Sequence, residues 1–134
     1  MVNILAVLVS TVVGMALGMF WYGPLFGKLW IKIMRFSKVD LAKAQKKVKA
    51  VTYFLSFLST FIFAVVLAYF IEFTGMASAF GGAVIGFLAW LGFLATTLIN
   101  SVLWENKPWS LYLLNAGHYL FVLVVLGAIL GAWN

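Results

Sequence analysis

The stretch that decides the fold is VTYFLSFLSTFIFAVVLAYFIEF, residues 51–73, in which Glu72 is the one charged residue. A helix of this length crosses the ~30 Å hydrocarbon core of a bilayer, because each residue adds ~1.5 Å. One segment before it and two after it are of similar length and apolarity. The sequence therefore predicts four transmembrane helices, at about residues 2–22, 51–73, 76–104 and 109–133.

The composition of the whole chain also favours a membrane protein. Of the 134 residues, 66% are hydrophobic and 9% are charged, whereas soluble domains carry ~25% charged residues. Because four spans use nearly all of this length, we expect one all-α membrane domain, residues 1–134, with the helices in an antiparallel bundle. No positive charge precedes the first span, as it would in a signal peptide, so we expect this helix to be retained.

Positive charge is concentrated in the segment of residues 24–50. Eight of the nine Lys and Arg residues lie between Lys28 and Lys49, and the ninth is Lys107, between the last two spans. Under the positive-inside rule both connections are cytoplasmic. We therefore expect a multi-pass protein of a prokaryotic cytoplasmic (inner or plasma) membrane, with both termini outside. Since the net charge of +6 arises from this belt at the membrane surface, we expect no nucleic-acid partner.

The motif after the first span predicts an elbow at the inner membrane interface. Pro24 is expected to end the first helix, and Gly23 and Gly27 are expected to permit the change of direction. Aromatic side chains are expected to anchor the elbow at the lipid headgroups, namely Trp21, Tyr22 and Trp30.

A short interfacial amphipathic helix is predicted directly after this elbow. Its polar face carries Lys28, Lys32 and Arg35, which either contact anionic lipids or only determine topology. The capping pattern of residues 37–40 predicts a further helix that begins near Lys38.

Small residues recur at four-residue spacing in the predicted spans, which favours close helix packing. They are Ala6, Ser10, Gly14 and Gly18 in the first span, Ser56, Thr60, Ala64 and Ala68 in the second, Ser78, Gly82 and Gly86 in the third, and Gly127 and Gly131 in the fourth. Two alternatives stay open: a single bundle uses all of these faces, or one face serves a homo-oligomer.

Uncharged polar residues in the last two spans form the candidate functional site. Asn115, His118 and Tyr119 share a face of the fourth span, and Thr97 and Asn100 share a face of the third. A short turn at residues 105–108 makes these spans neighbours, so we expect a single intramembrane polar cluster. It would either join the helices by hydrogen bonds or handle a proton or solute at His118, since imidazole titrates near physiological pH.

The same residues argue against catalysis and against metal binding. No carboxylate lies at the expected depth of His118, and one His without any Cys does not supply a tetrahedral metal site. We therefore expect no catalytic residue, no metal and no cofactor.

Two functions fit these residues. The first is a small non-enzymatic membrane protein that acts through helix packing and through lipid or protein contacts, with the bilayer as its main partner. The alternative is a minimal oligomeric channel or transporter for protons, ions or small solutes, built around His118. The sequence identifies no small-molecule substrate.

The motif WYGPLFGKLW, residues 21–30, resembles the family of small prokaryotic membrane proteins catalogued as domain of unknown function 1761. The resemblance continues through Asn100, the turn of residues 104–109, Asn115 and His118 to the closing residues 127–133. It implies four membrane helices. Because the family has no established activity, it implies no role for any individual residue.

Overall fold

The structure is a computed structural model that describes residues 2–34, Val39, Lys43 and 50–133. In these residues every regular element is helical, which confirms the all-α prediction. The helices are α1 (Ile4–Phe20), continued by a π-helical turn (Trp21–Leu25), α2 (Gly27–Met34), α3 (Ala50–Thr74), α4 (Ala79–Leu103) and α5 (Trp109–Ala132).

Four helical segments of the described chain are long and apolar enough to cross a membrane. These segments are Ile4–Leu25, Ala50–Thr74, Ala79–Leu103 and Trp109–Ala132. Each has at least 22 residues, and ~20 apolar residues suffice for a span. The prediction of four apolar helices is therefore confirmed, and they indicate a multi-pass membrane protein.

Polar side chains and a glycine define the helix ends far from the basic segment. The side chain of Asn3 accepts hydrogen bonds from the amides of Leu5 and Ala6, at 3.0 and 3.3 Å, and so caps α1. Gly75 follows α3 with a φ of 72°, a left-handed conformation that costs glycine little. The hydroxyl of Ser78 then caps α4 by accepting from the amide of Gly81 at 2.8 Å.

The closest helix contact joins α4 and α5. A Cβ atom on Gly82 would clash with the backbone of Gly127, and one on Gly86 would clash with the backbone of Leu123. Gly131 meets Ser78 in the same way, so the contacts run in opposite order along the two helices. Backbone contact this close requires glycine on at least one side of each contact.

The fully buried core lies at the Asn3 end of the bundle, where α1, α3 and α5 meet. Val7, Ile71 and Leu126 are each 0% exposed there. Towards the other end, α3 is exposed from Ala50 to Ser59. The bundle is therefore closed at one end, and at the other it leaves a groove beside α3.

The described small residues of α1 are used inside the bundle. Ala6 and Ser10 are buried, a Cβ on Gly14 would lie 3.0 Å from Thr60, and one on Gly18 would lie 3.4 Å from His118. Together with the glycine contact of α4 and α5, this arrangement places small residues of three helices inside the bundle, whereas Ser56 of α3 is exposed.

The elbow differs from its predicted form. Pro24 does not end the helix; it lies inside the π-helical turn, where the amide of Phe26 donates to the carbonyl of Trp21, five residues earlier, at 2.9 Å. A wider turn fits because proline lacks an amide proton and its ring crowds the regular α-helical ladder.

The glycine that the elbow needs is Gly27. A Cβ atom there would lie 2.8 Å from the carbonyl oxygen of Tyr22, whereas one on Gly23 would meet nothing within 4 Å. Of the two glycines predicted to permit the bend, Gly27 is therefore the one at which the packing leaves no room for a side chain. The helix α2 that follows exposes Lys28 and Lys32, while Arg35 and the predicted cap at residues 37–40 lie outside the described residues, except for Val39.

Candidate binding site around His118

His118 lies inside a box of aromatic side chains on α5 and at the end of α1. Its ring centroid is 4.9 Å from that of Tyr119, 5.0 Å from that of Tyr22 and 6.1 Å from that of Trp21. Gly18 leaves room for the imidazole on the α1 side. We call Trp21, Tyr22 and Tyr119 the aromatic box.

Two π-helical turns direct tryptophan side chains at the same part of α5. Trp21 begins the first turn and donates through Nε1 to the carbonyl of Leu114 at 3.1 Å. Trp90 begins the second turn, Trp90–Ala95, and donates to the carbonyl of Ala116 at 2.8 Å. Because π-turns change the direction in which side chains point and often occur at functional sites, they mark residues 114–118 as the centre of the site.

The amide side chain of Asn115 completes this hydrogen-bonded frame. Its Oδ1 accepts from the hydroxyl of Tyr22, which joins the π-turn after α1 to α5. One turn earlier in the helix, the hydroxyl of Tyr112 donates to the carbonyl of Ala95 at 2.9 Å and joins α5 to α4. The frame therefore fixes the position of α5 relative to both neighbouring helices.

The imidazole of His118 takes no part in this frame. Nδ1 and Nε2 are both buried, and neither has a hydrogen-bond partner among the described residues. A buried polar group without a partner costs ~1–3 kcal/mol, so most buried polar atoms are paired. His118 therefore has hydrogen-bonding capacity that the fold itself does not use.

A cavity of about 470 Å³ lies beside His118, between α1, α3 and α5. Its polar wall consists of α3 hydroxyl groups, those of Thr52, Ser56, Ser59 and Thr60. Three of these residues are exposed, so the cavity opens on the flank of the bundle as the groove beside α3. The described residues that line it include no Asp, Glu, Lys or Arg. We call this space the polar groove.

The structure does not gather all of the predicted site residues. Asn115, His118 and Tyr119 lie together, but Thr97 and Asn100 are exposed and line a separate surface depression with Ser101 and Glu105. The physical reason is the π-helical turn Trp90–Ala95, which changes the helical phase before Thr97. The side chains that surround His118 and its cavity come from α1, from the turn that follows it and from α3, not from α4.

Sequence reasoning assigned other roles to the residues that complete the site. Trp21 and Tyr22 are predicted at the elbow, as interface anchors or as part of a gate or lipid clamp, and not in the polar cluster. Ser56 and Thr60 are predicted to pack against another helix. The three- and four-residue spacing of Thr52, Ser56, Ser59 and Thr60 is visible in the sequence as a hydroxyl stripe. That this stripe lies across the groove from His118 is apparent only from the packing of α1, α3 and α5.

The described residues also bear on the requirements of a metal site. Among them no group of three His, Cys, Asp or Glu side chains is placed to hold a metal ion. What the site combines is a hydrogen-bonding imidazole, a row of hydroxyl groups and an aromatic box, at the side of a membrane-sized bundle. These are the features of a binding site for an uncharged or weakly polar ligand.

The fold and the site define a class, that of small all-helical proteins with four apolar helices suited to a membrane. Within this class the chain belongs to the family described as protein of unknown function (DUF1761), whose model matches residues 5–131. This confirms the resemblance of the sequence to that family. No curated protein and no solved structure matches the chain.

Proposed function

We propose that the protein is a non-enzymatic, multi-pass protein of a prokaryotic cytoplasmic membrane that binds a membrane amphiphile in the polar groove. In this proposal the four apolar helices span the bilayer as an antiparallel bundle. Both termini lie outside, and residues 24–50 face the cytoplasm because the positive charge is concentrated there.

The helix α2 is proposed to lie at the cytoplasmic interface. Lys28 and Lys32 are exposed on it, whereas Trp30 is half-buried and its ring lies 5.7 Å from that of Tyr22. Exposed cations beside apolar side chains suit contact with anionic headgroups, each worth ~1 kcal/mol near such a surface.

One observation carries the binding proposal: both ring nitrogens of His118 are buried without a partner next to a cavity of about 470 Å³. A ligand with a hydrogen-bonding head group would satisfy this imidazole and the hydroxyl groups of α3 together. The open flank of the groove lets such a ligand enter sideways from the bilayer. Binding without catalysis is favoured because the groove has no carboxylate beside His118 among its described residues.

Native mass spectrometry of the protein released from lipid nanodiscs tests this proposal. We expect the parent to retain a lipid from nanodiscs made with bacterial total lipid extract, which contains uncharged as well as charged lipids, and His118→Ala to retain several-fold less. Thr97→Ala is the matched control, because Thr97 is an exposed polar residue on α4 outside the groove. Equal lipid retention by all three proteins would contradict the proposal.

The second candidate is transport by an oligomer, and the exposed hydroxyl groups of Ser56 and Ser59 favour it. These groups lead towards His118 and would line a path if two copies placed their grooves face to face. Proteoliposome flux of protons, ions and small solutes distinguishes the candidates. Flux in the parent that is lost in His118→Ala supports transport, whereas no flux in either protein supports binding alone.

A further inference from the structure

A second cavity lies next to the polar groove and shares the side chain of Phe63 with it. It has a volume of about 330 Å³ and lies between α3, α4 and α5, where it is lined by Val66, Phe70, Phe93 and Leu94 among other apolar side chains. Every residue that lines it is apolar. We call it the apolar cavity.

Phe63 separates the two spaces and lines both of them. On one side of Phe63 the α3 stripe is Thr52, Ser56, Ser59 and Thr60, and on the other it is Val66, Leu67 and Phe70. From Thr52 to Phe70 the stripe rises ~27 Å, which is close to the ~30 Å thickness of a hydrocarbon core. The two cavities therefore share Phe63 as a wall, and the face of α3 that lines them is polar before Phe63 and apolar after it.

The polar groove reaches unusually deep. Ser59 and His118 each lie nine residues from the start of their helix, Ala50 and Trp109 respectively, which is ~14 Å along the axis and near the middle of a span. The head groups of ordinary phospholipids lie at the membrane surface. A polar group that contacts His118 would thus lie near the centre of the bilayer.

The charges around this position restrict the head group. Charged groups near the bilayer centre are costly unless they are paired, and the described lining residues include no Asp, Glu, Lys or Arg that would pair with one. Hydroxyl groups and an imidazole are suited instead to hydroxyl or carbonyl groups, as donors and acceptors.

We infer that the bound amphiphile is a lipid with an uncharged hydroxyl or carbonyl head, held at His118, and that its hydrocarbon chain passes Phe63 into the apolar cavity. This inference rests on the proposed function, since it names the class of ligand that the polar groove takes. The head satisfies the imidazole nitrogens, and the chain covers Val66, Phe70 and Phe93. Phospholipids are excluded from the deep position by the charge of their phosphate.

Photo-crosslinking tests the position of the chain. The probe is hexadecanol with a diazirine near the end of its chain, in nanodiscs, and labelled residues are located by peptide mass spectrometry. We expect labelling of Val66, Phe70 and Phe93 to exceed that of Phe73 and Phe80 about tenfold, the equivalent of ~1.4 kcal/mol. Phe73 and Phe80 are 79% and 80% exposed, so they report chains that only contact the surface.

Filling the apolar cavity provides the matched variant. Val66→Trp is expected to abolish the preferential labelling there, while a second probe with its diazirine beside the hydroxyl group still labels residues near His118. Phe73→Trp places the same side chain outside both cavities and should change neither signal. Phe63→Ala, which widens the passage, keeps the test informative if Val66→Trp does not fold, since it should increase labelling of Phe70 and Phe93.

Two outcomes would overturn this inference while the proposed function survives. One is labelling by the first probe that is no stronger in the apolar cavity than at Phe73 and Phe80, although His118→Ala still reduces lipid retention. The other is labelling of the apolar cavity by a diazirine-bearing phosphatidylglycerol as strongly as by hexadecanol. If neither probe labels the groove and His118→Ala retains lipid normally, the inference and the proposed function both fail.

Discussion

The imidazole of His118 has two ring nitrogens that form no hydrogen bond with the described residues. The residues around it are well satisfied: Trp21, Tyr22 and Trp90 all donate to groups of α5. The frame fixes the helix, and the imidazole it surrounds is held by ring contacts alone. A side chain positioned in this way is available to a ligand without any change in the frame.

The hydrogen bond from Tyr22 to Asn115 should make a measurable contribution to stability. We expect Tyr22→Phe to lower the free energy of unfolding by ~0.6 kcal/mol, the average for hydrogen bonds between membrane helices, and by at most ~1.7 kcal/mol. Tyr119→Phe is the control, because it removes a hydroxyl from the same aromatic box without removing that bond. Unfolding in mixed micelles by titration with a denaturing detergent gives both values; equal losses would contradict the role of the bond.

The elbow provides a second comparison between neighbouring residues. Gly27→Ala should destabilise the protein by ~1–3 kcal/mol, the usual cost of overpacking, because the new Cβ meets the Tyr22 carbonyl at 2.8 Å. Gly23→Ala should not destabilise it, since the same atom meets nothing within 4 Å. Thermal unfolding followed by circular dichroism measures both. If Gly23→Ala and Gly27→Ala lost equal stability, the conformational freedom of glycine would matter more at the elbow than the space that its missing side chain leaves.

At the scale of elements, the α4–α5 pair depends on glycine for its close approach. We expect Gly82→Ala to separate the helices and to cost ~1–3 kcal/mol or more, because the added atom clashes with the backbone of Gly127. Gly92→Ala, in the same helix, places the atom in open space and should leave stability unchanged or slightly raised. The same detergent titration distinguishes them, and similar curves for the two variants would contradict the contact.

The helices and the site differ in how far the sequence predicts them. The four apolar segments and the glycines of α4 and α5 are visible in it, because span length and small-residue spacing depend on local sequence. The π-helical turns are not, since a regular period of 3.6 residues assumes an uninterrupted helix. That assumption placed Thr97 and Asn100 beside His118, whereas the structure places them on another surface.

The α3 side of the site could not be predicted from the sequence for a related reason. Thr52, Ser56 and Ser59 line the same groove as His118 only because α1, α3 and α5 pack around it. Helix neighbours that are distant in sequence leave no local pattern. The sequence pattern predicts the histidine together with Asn115 and Tyr119, but it places Trp21 and Tyr22 at the elbow and not beside the histidine.

At the scale of the whole molecule, the orientation in the membrane is directly testable, since the chain contains no cysteine. We expect Ala77→Cys, in the exposed connection after α3, to react with a membrane-impermeant maleimide in intact cells. Lys107→Cys, in the exposed turn before α5, should react only after permeabilisation, because eight other basic residues hold its side in the cytoplasm. The reverse pattern would contradict the proposed topology.

The bonds that fix the elbow to α5 also have a consequence for biosynthesis. Trp21 and Tyr22 find their partners 93 residues later in the chain, and translation at ~5–20 residues per second separates the two by roughly 5 to 20 s. During that interval the Trp21 indole and the Tyr22 hydroxyl at the end of α1 lack the hydrogen-bond acceptors that α5 provides in the finished protein. During this interval of synthesis, insertases and membrane proteases therefore have access to an N-terminal half whose hydrogen-bond partners have not yet been made.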